Sequence, residues 1–296
     1  MKFVNMIAHH AERLMPPPFV MAAAALWLLA ALLRVWVPDF EKLPSDYSTE
    51  IRYAATLWTR QTPGAPVEES KSTVVRRDQT LSSDDTHVVI QSDAHWLSTD
   101  GTVIFEIFNM YGVDRRTRQN LVGYGNQDRS GQYLFPPHTR QQLYGWWDSN
   151  YDGPGVVRFE RVEHYRGIDV YVFNSRFEDI DETEGYAAHP EVPEKYRVRT
   201  QGAGRLWVEP LSGVVVDHED SGVSYFIDPH SGQRVGRAIN QWQERYTPET
   251  VLAQLRHAIA LRRRMLALEI GLPLALLVAG MICFGLALRA RRRETP

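Results

Sequence analysis

"LWVEPLSGVVV", residues 206–216, is echoed by "YFIDPHSGQRV", residues 225–235. Each runs aromatic, apolar, acid, Pro, any residue, Ser, Gly, with Val three positions on. An acid that opens a turn accepts backbone hydrogen bonds, and Pro presets φ at the next position. Gly then takes the left-handed conformation that closes a bulged hairpin loop. Both stretches are therefore expected to be hairpin connections with a strand on either side. A third relative, "YGVDRRTRQNLVG" at 111–123, keeps Asp114 and Thr117 but carries Arg118 where Gly stands in the other two.

Outward from these turns the pattern persists. "THVVIQSDAHWL", "GTVIFEIFNMYGV", "GVVRFERVEHYRGIDVYVFNSRFE", "KYRVRT" and "GVSYFIDP" are short apolar runs broken by turn residues. "IDVYVF" alternates apolar side chains with others, as a strand with one buried face does. Repeated short strands predict an antiparallel β domain, either a sandwich or a barrel. "YSTEIRYAATLWT" (47–59) is expected to be a strand, and "PGAPVEESKS" (63–72) a linker or exposed loop. Residues 247–264, "TPETVLAQLRHAIALRRR", change period to a helix: Thr247 is a good N-cap and Pro248 suits the first helical position. Its stripe is expected to be Val251, Leu252, Leu255 and Ile259, and the helix to run on unbroken.

Two segments are almost purely apolar, "FVMAAAALWLLAALL" (19–33), extended by "VWV" (35–37) beyond Arg34, and "IGLPLALLVAGMICFGLAL" (270–288). Each is long enough to cross a hydrocarbon core about 30 Å thick. The first is longer than a cleaved signal's apolar stretch and lacks a small-x-small site after it, so it reads as an anchor. The expected organisation is a cytoplasmic tail (1–16), a transmembrane helix (17–38) and an extracytoplasmic β-rich domain (39–246). A juxtamembrane amphipathic helix (247–269), a second transmembrane helix (270–289) and a basic tail (290–296) follow. The fold class is mainly β, a sandwich or barrel-like ectodomain flanked by two transmembrane α-helices. Trp27 and Trp36 are candidates for interfacial depth, Trp27 lying mid-span. Arg34 can snorkel to headgroups, and Arg262, Arg263, Arg264, Arg289, Arg291, Arg292 and Arg293 read as lipid-facing anchors.

The formal net charge of −3 argues against a nucleic-acid partner. The lone cysteine, Cys283, lies within the second apolar run and rules out an internal disulfide. The ten histidines show no zinc spacing, no G-x-S-x-G elbow occurs, and no enzyme is expected. "DSNYDG" (148–153) matches the opening of a calcium loop, with Asp148, Asn150, Asp152 and Glu160 as the oxygen ligands. Position 7 would be Pro154 and position 12 Phe159, so an EF-hand is not expected, and calcium is the one cofactor left open. Beside it, Tyr144, Trp146, Trp147 and Tyr151 are candidates for a partner or ligand surface; the plainer alternative is a core strand entering a turn. The acids Asp179, Asp181, Glu182 and Glu184 read as a solvated loop.

"YLFPPHTRQQLYGWWD" (133–148), "VEHYRGIDVYVFN" (162–174), "LWVEPLSGVVVD" (206–217) and "RYTPETV" (245–251) resemble the PorA family of two-pass membrane proteins. The resemblance covers about residues 110–290 and implies an anchor at each end of an extracytoplasmic β domain. It implies no catalytic residues. A lipid-spanning barrel needs an outward apolar band on its strands and has no use for two apolar helices, so the β domain is not expected to be a pore. The expected role is structural: docking or assembly at the plasma (inner) membrane, with both termini cytoplasmic, as an accessory subunit bound to lipid and to other membrane proteins. The alternatives are a module binding lipid, envelope glycan or calcium, and a channel made by oligomerised spans.

Overall fold

The computed structural model describes residues 18–62, 64–148, 153–187, 189, 191–192 and 194–294. The chain divides into two compact units, the apolar helices forming one and Lys42–Leu261 the other. Helix α1 is Pro18–Phe40. Strands β1 (Ser48–Thr59), β2 (Glu68–Ser83), β3 (His87–Ser98), β4 (Val103–Asp114) and β5 (Asn120–Gly125) follow as a meander. A second meander holds β6 (Leu143–Asp148), β7 (Gly153–Tyr165), β8 (Ile168–Asp181), β9 (Arg197–Glu209), β10 (Val214–Ile227) and β11 (Arg234–Tyr246). Helix α2 (Pro248–Leu266), a π-helical turn (Ala267–Gly271) and helix α3 (Leu272–Glu294) end the described chain.

All eleven strands make one sheet, in the order β5-β4-β3-β2-β1-β11-β10-β9-β8-β7-β6, every neighbour antiparallel. The meanders meet where β1 pairs with β11, Tyr53 opposite Tyr246 and Leu57 opposite Trp242. One buried cluster joins Val74 of β2 to Tyr144 of β6, strands far apart in that order, together with Tyr53, Phe173, Leu206 and Val208. A flat sheet cannot bring those strands together, so this one curls. Gln132 completes the closure, pairing antiparallel with Gln119 beside β5 and parallel with Trp146 of β6. Its neighbour Gly131, at φ +72°, passes so close to β6 that a Cβ there would meet the Gly145 carbonyl carbon at 2.6 Å. Of the two expected architectures, the single curled sheet is the barrel.

The three related turns share one geometry. Asp228 Oδ1 accepts the His230 and Ser231 amides at 2.7 and 3.3 Å, and Gly232 is left-handed at φ +68°. Asp114 Oδ1 accepts the Arg116 and Thr117 amides at 2.9 and 2.7 Å, and Arg118 takes the left-handed place at φ +59°. Glu209 Oε2 accepts the Ser212 amide at 2.8 Å, with Gly213 at φ +72°. The Glu209 turn differs in being buried, its carboxyl-bearing residue only 1% exposed. The Arg118 guanidinium reaches across and donates to Ser212 O and Phe135 O, both at 2.9 Å. Two turns of one design are thus fastened to each other and to the β5–β6 connection, whose Phe135 fills the barrel against Tyr144, Trp146 and Phe173.

Helix α2 begins as its sequence predicts, the Thr250 amide donating to Thr247 Oγ1 at 3.3 Å. Leu255 and Ala258 pack on Val170, Val172, Trp207 and Val216, while Leu252 is exposed, which corrects the expected stripe. The helix does run on into the second apolar segment, as expected, through one widened turn. Pro273 has no N–H for the Glu269 carbonyl, and the helix widens one turn earlier, the Leu272 amide donating to Ala267 O. The expected linker is also shorter than read, because Glu68 to Ser72 already pair with β1.

Within the helical unit the buried positions recur every seventh residue: Ala23, Ala30 and Val37 on α1, Pro273, Gly280 and Ala287 on α3. Small residues at that spacing let two helix backbones approach closely. The Trp27 indole lies against Gly280 and its Nε1 donates to Leu277 O at 3.3 Å. Trp27 is therefore a knob between the two helices.

Candidate functional site

The barrel interior, its outer wall, its seam and the helix ends each carry a distinct chemistry. In the interior, Asp78 is fully buried, accepting Ser92 Oγ at 2.6 Å and Tyr133 OH at 2.9 Å, with Arg76 Nε at 3.3 Å. Tyr47, Tyr53, Tyr111, Tyr133 and Tyr246 are all pushed above the ordinary tyrosine value, burial being the largest cause; Tyr47 and Tyr246 reach about 12. Burial and then the Arg76 charge lower His218 to about 4, so it is neutral at pH 7. A fully buried carboxylate, paired with the partly exposed Arg76 and met by hydroxyl donors, holds Tyr133, and with it the β5–β6 connection, inside the barrel.

On the outer wall, charges alternate from strand to strand. Arg205 meets Glu160 and Glu219 at 3.3 Å each, and Arg245 meets Glu219 at 3.6 Å and Asp217 at 2.5 Å. Glu160, Arg205, Glu219 and Arg245 line a trough of about 850 Å³ together with Ala54, Thr56, Ala203 and Ser221. A wall of ion pairs facing outward around an aromatic interior is the reverse of a lipid-spanning barrel.

The seam is different. Strands β1 and β8 to β11 carry no exposed large apolar residue among those described. Strands β4 to β7, which flank the seam, carry Val103, Ile104, Phe105, Phe108, Val122, Leu143, Val156 and Val162, all exposed. Strand β4 pairs with β3 along its length but with β5 only at Tyr111, Gly112 and Val113. Met110 still bonds Asn126 and Gln127 on the β5 side. Val103–Ile107 have no strand there among the described residues, which leaves an open, apolar edge. Sequence reading passed over this edge, although "VIFEIF" (103–108) carries a signal. It is nearly continuous in apolar residues rather than alternating, the pattern of a strand covered on both faces.

The sequence-derived candidates fall around the same seam. Tyr144 is buried in the core cluster, its OH accepting the Arg140 amide at 2.8 Å. Trp146 is half-buried and stacked on Phe135, and Trp147 is half-buried with the Arg129 guanidinium 5.7 Å from its ring. The period of two on β6 thus sends Tyr144 and Trp146 inward and Trp147 to the other face. Tyr151, Asn150 and Asp152 lie outside the described residues, as does the Asp148 side chain; the Asp148 backbone pairs with Gly153. Glu160 is engaged by Arg161 at 2.6 Å and by Arg205. Glu182, read as solvated, is half-buried and accepts a hydrogen bond from Thr200. Its carboxyl pKa is raised by that burial.

Trp36 and Arg34 are exposed on α1. Arg263 and Arg264 are exposed and Arg262 half-buried in the last turns of α2, and Arg289, Arg291 and Arg292 are exposed on α3. The side chain of Arg293 lies outside the described residues. The two basic groups of the C-terminal helix stand about 37 Å apart along its axis, the depth of a hydrocarbon core with part of its headgroups. Pro18–Phe40 and Pro248–Arg292 are each long and apolar enough to cross a membrane, with mean hydropathy peaks of 2.1 and 2.3.

Fold and helices together fit a membrane protein with an antiparallel β-barrel domain between two apolar helices. The chain belongs to the PorA family, whose model, described as Porin PorA, matches residues 16–289. No curated protein matches it. A solved LolA superfamily protein from Nitrosomonas europaea is similar at 12% identity over 71% of this chain and 88% of that one. Its TM-score of 0.16 carries no argument.

Proposed function

We propose that this chain is a non-catalytic, two-pass membrane protein that docks other membrane proteins as an accessory subunit of a larger complex. The barrel stands on the extracytoplasmic side of the plasma (inner) membrane and both termini on the cytoplasmic side. The observation that carries the reading is the placing of the barrel's exposed apolar side chains. Those on strands, all but Leu81 of β2, collect beside the seam, while the central outer wall is closed by its own ion pairs. Apolar surface rimmed by charge is the mark of an interaction site. Purification from native membranes in mild detergent, followed by mass spectrometry, tests it. A stoichiometric partner is expected, and a clean monomer from cross-linked membranes would end the docking reading.

The family's description as a porin favours a second reading, conduction. With the barrel wall charged outward, the pore would have to form between copies of α1 and α3. Planar-bilayer recording of the full chain tests this: unitary currents abolished by Gly280→Leu would favour a channel over a dock.

A further inference from the structure

The open edge of β4 has a chemistry that narrows what can occupy it. The hairpin His87–Asp114, made of β3 and β4, contains Asp93, Asp100, Glu106 and Asp114 and no Lys or Arg. Glu106 sits midway along the unpaired stretch with its side chain 71% exposed, and its neighbour is His95 at 3.5 Å. Around it Val103, Ile104, Phe105 and Phe108 are about half exposed. Met110 turns its backbone N–H and C=O toward the β5 side, so by the two-residue period Glu106 turns its own toward the open edge. An edge of this kind is completed by a strand, whose backbone supplies the missing hydrogen bonds and whose alternate side chains set the specificity.

We infer that β4 is the receptor strand for an extended segment of a partner protein, apolar on one face and basic on the other, which adds to the sheet at Val103–Phe108. The inference rests on the docking reading and names its site. The apolar face of the segment covers Phe105 and Ile107, and a Lys or Arg on its other face lies opposite Glu106. A second copy of this chain is a poorer occupant, since it would set one acidic hairpin against another and oppose like charges across the new ladder.

The test uses the full chain in lipid nanodiscs and two fluorescein-labelled peptides, Lys-Val-Thr-Val-Lys-Val-Thr and Glu-Val-Thr-Val-Glu-Val-Thr, read by anisotropy. The basic peptide is expected to bind at least ten-fold more tightly than the acidic one, and Glu106→Lys is expected to reverse that order. Glu106→Pro, which removes from the backbone only an N–H that faces the open edge, together with the exposed carboxylate, is expected to abolish binding of both with an unchanged unfolding midpoint. Equal affinity for the two peptides, no binding of either, or a preference that Glu106→Lys leaves intact overturns the inference. So does a dimer of the wild-type chain that Glu106→Lys dissolves, because the edge would then pair with itself. A stoichiometric partner recovered while both peptides fail removes β4 from the docking reading but leaves that reading in place.

Discussion

Replacing Arg118 with Gly sets two opposed effects against each other. The residue holds a left-handed backbone, φ +59°, that costs a side-chain-bearing residue about 1–2 kcal/mol, and Gly would relieve that cost. Against this stand two charge-assisted hydrogen bonds at 2.9 Å to the Phe135 and Ser212 carbonyls, each worth about 1.5–3 kcal/mol. The hydrogen bonds win, and Arg118→Gly should destabilise the joint by about 2–4 kcal/mol despite supplying the residue the turn prefers. The loss should be local first, because the bonds fasten the segment around Tyr133–Thr139 and the Glu209 hairpin. Hydrogen–deuterium exchange on the full chain in detergent should show the Tyr133, His138 and Thr139 amides exchanging about 30- to 1,000-fold faster, at 1.4 kcal/mol per decade. Arg118→Lys, which keeps the charge and the strain but loses the planar fork, should fall between. Unchanged or slower exchange in Arg118→Gly would refute the reasoning, since it would mean that backbone strain outweighs the guanidinium's bonds.

His218 makes stability depend on pH. Its folded value of about 4 lies below the ordinary 6.5, so the unfolded chain takes up the proton first as the solution is acidified. The stabilisation is complete above pH 6.5 and is lost as pH falls toward 4, by about 2–3 kcal/mol; urea midpoints should show that slope, and His218→Phe should flatten it. Glu209→Gln should cost more than Asp228→Asn, by about 1–2 kcal/mol in chemical denaturation, because the same turn is buried in one case and exposed in the other. Gly222→Val should destabilise the barrel by about 3 kcal/mol, since a Cβ there strikes the six-membered ring of Trp242; loss of near-ultraviolet circular dichroism at lower urea would show it. Trp27→Ala should loosen the α1–α3 pair, raising disulfide cross-linking of lipid-facing cysteines between copies, whereas Trp36→Ala should not.

Much of the barrel was legible because turn chemistry is local. Asp114, Glu209 and Asp228 each cap their own turn, so the acid-to-glycine spacing marks two connections, and the third stands out by carrying Arg118 in place of the glycine. What could not be read is where the turns go. Nothing in "LWVEPLSG" distinguishes a buried joint from the exposed Asp228 turn, since burial is decided by the chain that packs over it, here Phe135 and Arg118. Alternation assigns each strand side chain to a face without saying whether the sheet stays flat or curls, and closure falls to Gln132, a single polar residue in a loop. The packing role of Trp27 is not legible in the sequence, because its partner, Gly280, lies 253 positions along the chain. At the seam, the surplus of apolar residues in "VIFEIF" becomes informative only once Val103–Ile107 are seen to have no strand on their outer side among the described residues.

The pairing of β1 with β11 gives the molecule an arithmetic of halves. One meander follows α1 directly and the other leads directly into α2 and α3, so each half of the chain carries its own apolar helix and its own run of neighbouring hairpins. Every ladder but one joins strands adjacent in sequence. A break between Gly125 and Gly131 would therefore sever no hairpin, and the two fragments, made separately, would each hold a nearly complete fan of strands. They would have to find each other along one strand pair, along the α1–α3 contact and through the Arg118 clasp. This protein is built as a split pair already joined by a loop.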